Sequence, residues 1–191
     1  MAETNFTKRA LAAALKELMK DIPFHKITIS DICDQCDMSR KSFYYHFRDK
    51  YDLINWIFES EYISPLEEQL AHYQPANENE MSAIDIRWAL VEHLCQYFHE
   101  NKGFYGKVFQ IRGQNCFTDY FKDLLRPLMV AKFNALPYDQ RVIEFSTEFY
   151  MDSSLSALER WIVEKNAVPP TEFVRLLRTC IKVLYDAADI K

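Results

Sequence analysis

Residues 29–47 read Ile29-Ser30-Asp31-Ile32-Cys33-Asp34-Gln35-Cys36-Asp37-Met38-Ser39-Arg40-Lys41-Ser42-Phe43-Tyr44-Tyr45-His46-Phe47, two short helical patterns separated by a turn. Ile29, Ile32, Cys33 and Cys36 recur at helical spacing and give the first pattern one apolar face. Thr28, just ahead of it, predicts an N-cap, and Asp31 is placed to reach back as the partner of a capping box. Asp37-Met38-Ser39 leaves room only for a tight turn, from which Ser39 caps the second pattern. Phe43 and Phe47 lie one helical turn apart, so they share a face that can bury while the opposite face stays in solvent. Two short helices joined in this way predict a helix-turn-helix over about residues 28–47.

That solvent face carries Ser39, Arg40, Lys41, Ser42, Tyr44, Tyr45 and His46, side chains that donate hydrogen bonds to phosphate oxygens or base edges. Lys50, at the start of the next helix, is placed to pair with a backbone phosphate. Insertion into the DNA major groove would use all of these groups. A solvated polar face on an ordinary helical bundle is the competing reading.

Upstream, Leu11, Leu15, Leu18 and Ile22 predict a helix from about Thr7 to Lys20, which Pro23 stops. Downstream, Leu53, Ile54, Ile57 and Phe58 form the inner face of a helix from about Lys50, bent or ended by Pro65. Residues 73–81, with Pro75 and several Asn and Glu, mark the expected boundary between a front module and the rest. Further helices are expected near 82–100, 115–127, 128–136, 139–165 and 170–188.

Composition agrees with an all-α protein. Only three of 191 residues are Gly, while 49% are hydrophobic and 15% aromatic, few turn-formers beside much core material. The net charge of −5 is unevenly spread. Nine basic residues face seven acidic ones through Lys50, whereas the remainder holds fourteen against twenty-one. A basic front on an acidic body suits a DNA-facing module. No apolar stretch approaches the roughly 20 residues needed to span a bilayer, and the first residues lack the apolar region of a secretory signal. A cytoplasmic location is expected, with the five cysteines as thiols.

The segments Ile29-Ser30-Asp31-Ile32, then residues 39–47, then Lys50-Tyr51-Asp52-Leu53 resemble in order and spacing the signature of TetR-type transcription regulators. The resemblance implies an all-α fold. Its N-terminal three-helix DNA-binding module, with a tetra-helical character, would span 1–64, and a C-terminal helical domain for effector binding and dimerisation would span 65–191. It further implies DNA contacts from Thr28, Ser30, Ser39, Arg40, Lys41, Ser42, Tyr44, Tyr45, His46 and Lys50. Where the family usually has Gly in the turn, this chain has Asp37, which must then adopt a left-handed backbone that Asp tolerates. Its carboxylate is expected to cap a neighbouring amide. Asn101-Lys102-Gly103-Phe104-Tyr105 and Leu158-Glu159-Arg160-Trp161-Ile162 resemble, more loosely, a Firmicutes-type subgroup that includes regulators of dihydroxyacetone kinase operons.

One helix-turn-helix reads too few base pairs for high specificity, and such proteins dimerise on half-sites about 34 Å apart. A homodimer is therefore expected. The last two helices offer Phe149, Leu158 and Trp161 against Leu177, Ile181 and Leu184, although the same stripes describe an intramolecular core equally well. Trp88, Tyr97, Phe98, Phe109, Phe117 and Phe121 are candidates to line an effector pocket, with plain core packing as the competing reading. The resemblance implies that occupancy of such a pocket tilts the two front modules.

Cys33 and Cys36 form a C-x-x-C pair without a second pair or a strand context, so they read as core. His93, Cys95 and His99 read as a partly buried polar lining rather than a metal site. No metal or cofactor is expected. The chain has no Gly-rich phosphate loop, no H-E-x-x-H and no G-x-S-x-G, which argues against an enzyme. The expected function is binding of a double-stranded DNA operator as a repressor, released by a small-molecule or protein effector, with no membrane partner. An activator of the same fold, or a ligand-binding protein with a non-functional DNA-binding module, is the alternative.

Overall fold

A computed structural model describes residues 2–72, 83–134 and 137–187. The regular elements among them are all helical. The front holds α1 (Ala2–Asp21), a 3-10 turn (Phe24–Lys26), α2 (Ile29–Gln35), α3 (Arg40–His46) and α4 (Lys50–Phe58). A wide five-residue turn (Glu59–Ile63) leads to α5 (Ser64–Ala71), and the rest holds α6 (Ala83–Glu100), α7 (Lys102–Val108), α8 (Phe117–Phe133), α9 (Gln140–Val163) and α10 (Pro170–Ala187). The boundary expected at residues 73–81 lies outside the described residues. No helix among the described residues is long and apolar enough to cross a membrane.

Of the predicted inner face of α1, Leu11 and Leu15 are buried and Leu18 and Ile22 half-buried, with Met19 buried beside them, where α1 packs on α2, α3 and α4. α4 carries the core onward, because Phe58 at its end is fully buried among rings of the body. Its ring stacks on Phe98 of α6 at 5.7 Å and meets the edges of Phe117 and Phe121 of α8 at 5.3 and 5.7 Å. The front and the body therefore share one continuous core rather than two.

Of the two outcomes expected at Pro65, the helical run is not ended there: the Ser64 amide donates to the Glu59 carbonyl, five residues back, and this wide turn admits Pro65 into the first turn of α5. Pro127 likewise lies inside α8, which runs through the break expected between 127 and 128. Ion pairs from Lys122 to Asp152 and from Arg126 to Glu148 hold α8 against α9 on its N-terminal side, and Phe133 is buried beyond it. A further helix, α7, was absent from the expected set. Its two glycines, Gly103 and Gly106, weaken a helical pattern in sequence.

Candidate nucleic-acid interface

The two helices of the motif are built by their caps. Thr28 accepts the Asp31 amide at 3.1 Å, and the Asp31 carboxylate accepts the Thr28 amide at 2.8 Å, which closes the capping box at the start of α2. The Thr28 amide, and the Thr28 hydroxyl that also donates to this carboxylate, hold the Asp31 carboxyl below its ordinary value. Ser39 accepts the Ser42 amide at 3.1 Å and starts α3. Between them Asp37 has φ of 54°, the left-handed backbone expected of it, while the Met38 amide donates to the Cys33 carbonyl at 2.9 Å. Among the described residues the Asp37 carboxylate does not make the capping bond expected of it.

Phe43 and Phe47 anchor α3. Both are buried with ring centres 5.7 Å apart, and Phe47 meets the edge of Trp56 in α4 at 5.8 Å. The opposite face projects outward: Arg40 and Lys41 are exposed, Tyr44 is 51% exposed and Tyr45 80%. Ser39, Lys41, Ser42 and Tyr45 line one shallow surface depression. His46 is half-buried against the Tyr45 ring at 4.8 Å, and burial together with Lys8 lowers its pKa. Arg48, which the sequence reading did not single out, is an exposed cation just beyond α3, linked to Asp52 at 3.7 Å. Its position directly after Phe47 is the signal that marks it.

Two of the expected contacts are differently engaged. Lys50, expected at a backbone phosphate, turns inward in this structure: its ammonium donates to the Phe24 and Ile27 carbonyls at 2.7 and 2.6 Å. Thr28 is exposed, but its hydroxyl donates to Asp31 at 2.8 Å as well as accepting from its amide. Ser30 is half-buried in the first turn of α2.

The expected effector pocket is corrected as well. Phe98, Phe109, Phe117 and Phe121 are fully buried and fill the body with their own rings, Phe98 on Phe109 at 5.2 Å and Phe109 on Phe117 at 5.3 Å. Tyr97 borders them, bonded to the Tyr105 hydroxyl at 2.8 Å and to Glu61 at 3.2 Å. Trp88 lies elsewhere, under Arg178 of α10 at 5.8 Å. An open cleft of about 350 Å³ on the body is instead lined by polar groups, among them the Arg112–Glu159 and Lys122–Asp152 ion pairs.

The expected dimer face is corrected in part. Leu158 and Trp161 are buried within the chain, where Trp161 stacks on Phe173 at 4.5 Å and donates to the Val168 carbonyl at 2.8 Å. Leu177 is half-buried against the same core, and the side chains of Ile181 and Leu184 lie outside the described ones. Phe149 is 49% exposed and stays available. Among the other residues singled out, Cys33 is buried and the half-buried Cys36 donates to the Ile32 carbonyl at 3.3 Å, with burial raising both thiol pKa values. Cys95 is pushed up to about 12, His93 pairs with Tyr62 at 3.3 Å, and His99 stacks on Trp161.

Comparison with known proteins supplies the family. The model described as bacterial regulatory proteins, tetR family, matches residues 10–57, and that of a transcriptional regulator C-terminal region matches residues 88–183. The HTH-type dhaKLM operon transcriptional activator DhaS of Lactococcus lactis is 30% identical over 111 residues, which span 58% of this chain and 53% of that protein. Three solved structures share the fold. The dihydroxyacetone kinase operon activator DhaS has a TM-score of 0.55 at 21% identity, covering 93% of this chain and 97% of that one. A TetR regulator from Streptococcus agalactiae has 0.62 at 17%, covering 94% and 96%. NalD, a secondary repressor of an efflux pump in Pseudomonas aeruginosa, has 0.66 at 13%, covering 93% and 94%. With its helix-turn-helix capped and anchored as described and both halves matched, the chain belongs to the TetR family of bacterial regulators.

Proposed function

We propose that this protein is a dimeric, operator-binding transcription regulator that inserts α3 into the DNA major groove. The observation that carries the reading is the two-sided character of α3, with Phe43 and Phe47 in the core and Arg40, Lys41, Tyr44 and Tyr45 in solvent. Ser39, Ser42 and His46 complete the face, and Thr28 and Ser30 bring the start of α2 to the backbone. Repression by blocking polymerase is the default outcome, and activation is a second reading favoured by the likeness to DhaS, named an activator.

The dimer forms through the outer faces of α8 and α9, where Leu128, Phe145 and Phe149 are exposed. An effector, small molecule or protein, acts on the body outside its filled aromatic interior and changes the spacing of the two recognition helices through Phe58, which belongs to α4 and to the body core alike. The test is association with duplexes selected from a randomised pool. Binding that weakens steeply with salt and is lost in Arg40→Ala supports the reading, and no salt-dependent association with any duplex defeats it.

A further inference from the structure

The cation at the start of α4 sits where a helix least favours one. The first turn of a helix presents the positive end of its dipole, so a lysine there needs compensation. Lys50 finds it outside its own helix. Its ammonium donates to the Phe24 carbonyl at 2.7 Å and the Ile27 carbonyl at 2.6 Å, and rests over the Phe24 ring at 4.4 Å. Tyr51 closes the arrangement by presenting its ring to the same Phe24 at 5.0 Å. Phe24 and Ile27 are themselves buried, and Ile27 immediately precedes Thr28, the cap of α2. One side chain of α4 thus clamps the whole turn that launches α2.

We infer that Lys50 is a positioning residue, which fixes the turn from Phe24 to Thr28 and so the approach of α2 and α3 to DNA, rather than a group that binds phosphate. The inference rests on the proposed DNA-binding function. Two of the three ammonium protons are held by carbonyls, so the side chain extends towards a phosphate only by leaving both of them without that partner. Burial beside Phe24 lowers the Lys50 pKa, in keeping with an inward ammonium.

Three measurements on Lys50→Met and Lys50→Arg test this. A lost phosphate contact reduces the slope of log affinity against log salt by about 0.9, whereas a lost clamp leaves the slope unchanged. Lys50→Met is expected to lower the melting temperature of the free protein by roughly 3 °C. Its affinity for a pool-selected duplex, measured well below that temperature, should fall on the order of tenfold at unchanged salt slope. Lys50→Arg, whose guanidinium can donate to both carbonyls, should restore most of both. A reduced slope with an unchanged melting temperature makes Lys50 a phosphate contact and overturns the inference. A lower melting temperature with affinity unchanged makes it a stability residue only, which overturns it too. Where Lys50→Met does not fold, Lys50→Gln carries the same comparison. Failure of the wild-type protein to select any duplex overturns the DNA-binding reading and this inference together, whereas the slope and melting results bear on Lys50 alone.

Discussion

Lys107 of α7 donates from its ammonium to the Met19 carbonyl of α1 at 2.6 Å, and to the neighbouring Lys20 carbonyl at the same distance. The last carbonyls of a helix have no partner within it and carry the negative end of its dipole, so a cation there is favourable. Here the cation comes from the body. Because α1 packs on α2, α3 and α4, the contact fixes the helix-turn-helix relative to α7. Lys16 of α1 makes a second link, pairing with Glu61, which also accepts from Tyr97 of α6. Lys107→Met is expected to lower stability by about 1 kcal/mol, as for loss of a charge-assisted hydrogen bond in a solvated setting. The urea midpoint should fall at unchanged slope, whereas Lys102→Met, on the same helix and exposed, should leave it in place.

The two faces of α3 should respond oppositely to truncation. Phe43→Ala removes a fully buried ring and should cost about 3–5 kcal/mol of stability. Tyr45→Ala, at 80% exposure, should leave the urea midpoint within about 0.5 kcal/mol of wild type while weakening duplex binding. Equal loss of stability in both variants would remove the basis for an outward recognition face.

The capping box predicts a stability effect and a pH effect. Thr28→Ala should cost about 1 kcal/mol, the usual value of an N-cap hydroxyl. The Asp31 carboxyl is held below its ordinary value of 3.8 by the Thr28 amide and hydroxyl. A depressed carboxyl contributes stability above its unfolded pKa and loses it as pH falls through the folded value. Asp31→Asn should therefore flatten the acid limb of a stability profile in that window, which urea titrations across acid pH would measure.

These caps and the Phe43–Phe47 spacing were legible in the sequence because each is local, set by residues three or four apart. What was not legible is set by distant partners. Lys50 turns inward because carbonyls 23 and 26 residues earlier meet it, and no spacing rule near Lys50 encodes that. Aromatic density around Phe98 and Phe117 is the same whether rings line a cavity or fill it, and the structure fills it. The apolar stripe holding Leu158 and Trp161 points to the last helix without telling whose, and Phe173 of the chain's own α10 stacks on Trp161.

His46 carries a pH dependence of the same sign at higher pH. Burial, with Lys8 nearby, lowers its pKa from the ordinary value of 6.5, so the folded protein resists its protonation. As pH falls through 6.5 the unfolded chain takes up this proton first, and stability declines until the lower folded pKa is reached. His46→Gln should remove that step from the pH profile of the urea midpoint. A profile unchanged by the substitution would mean that the Tyr45 and Lys8 surroundings do not perturb the ring.

The dimer surface yields the most direct discrimination, because the sequence placed part of it on residues that the fold buries. Leu128 is 69% exposed and Phe145 74%, and the Phe145 and Phe149 rings stack at 6.3 Å on the outside of α9. Burying one such ring at an interface is worth about 1.5–3 kcal/mol, and a stable dimer covers about 800 Å² on each partner. Phe145→Asp should therefore leave a folded chain, since the ring contributes little to its own subunit, but convert dimer to monomer in sedimentation experiments. Trp161→Asp should do the reverse and unfold the chain, because it places a charge against Phe173 and abandons the bond to the Val168 carbonyl. A Phe145→Asp protein that stays dimeric would move the interface away from this face of α9.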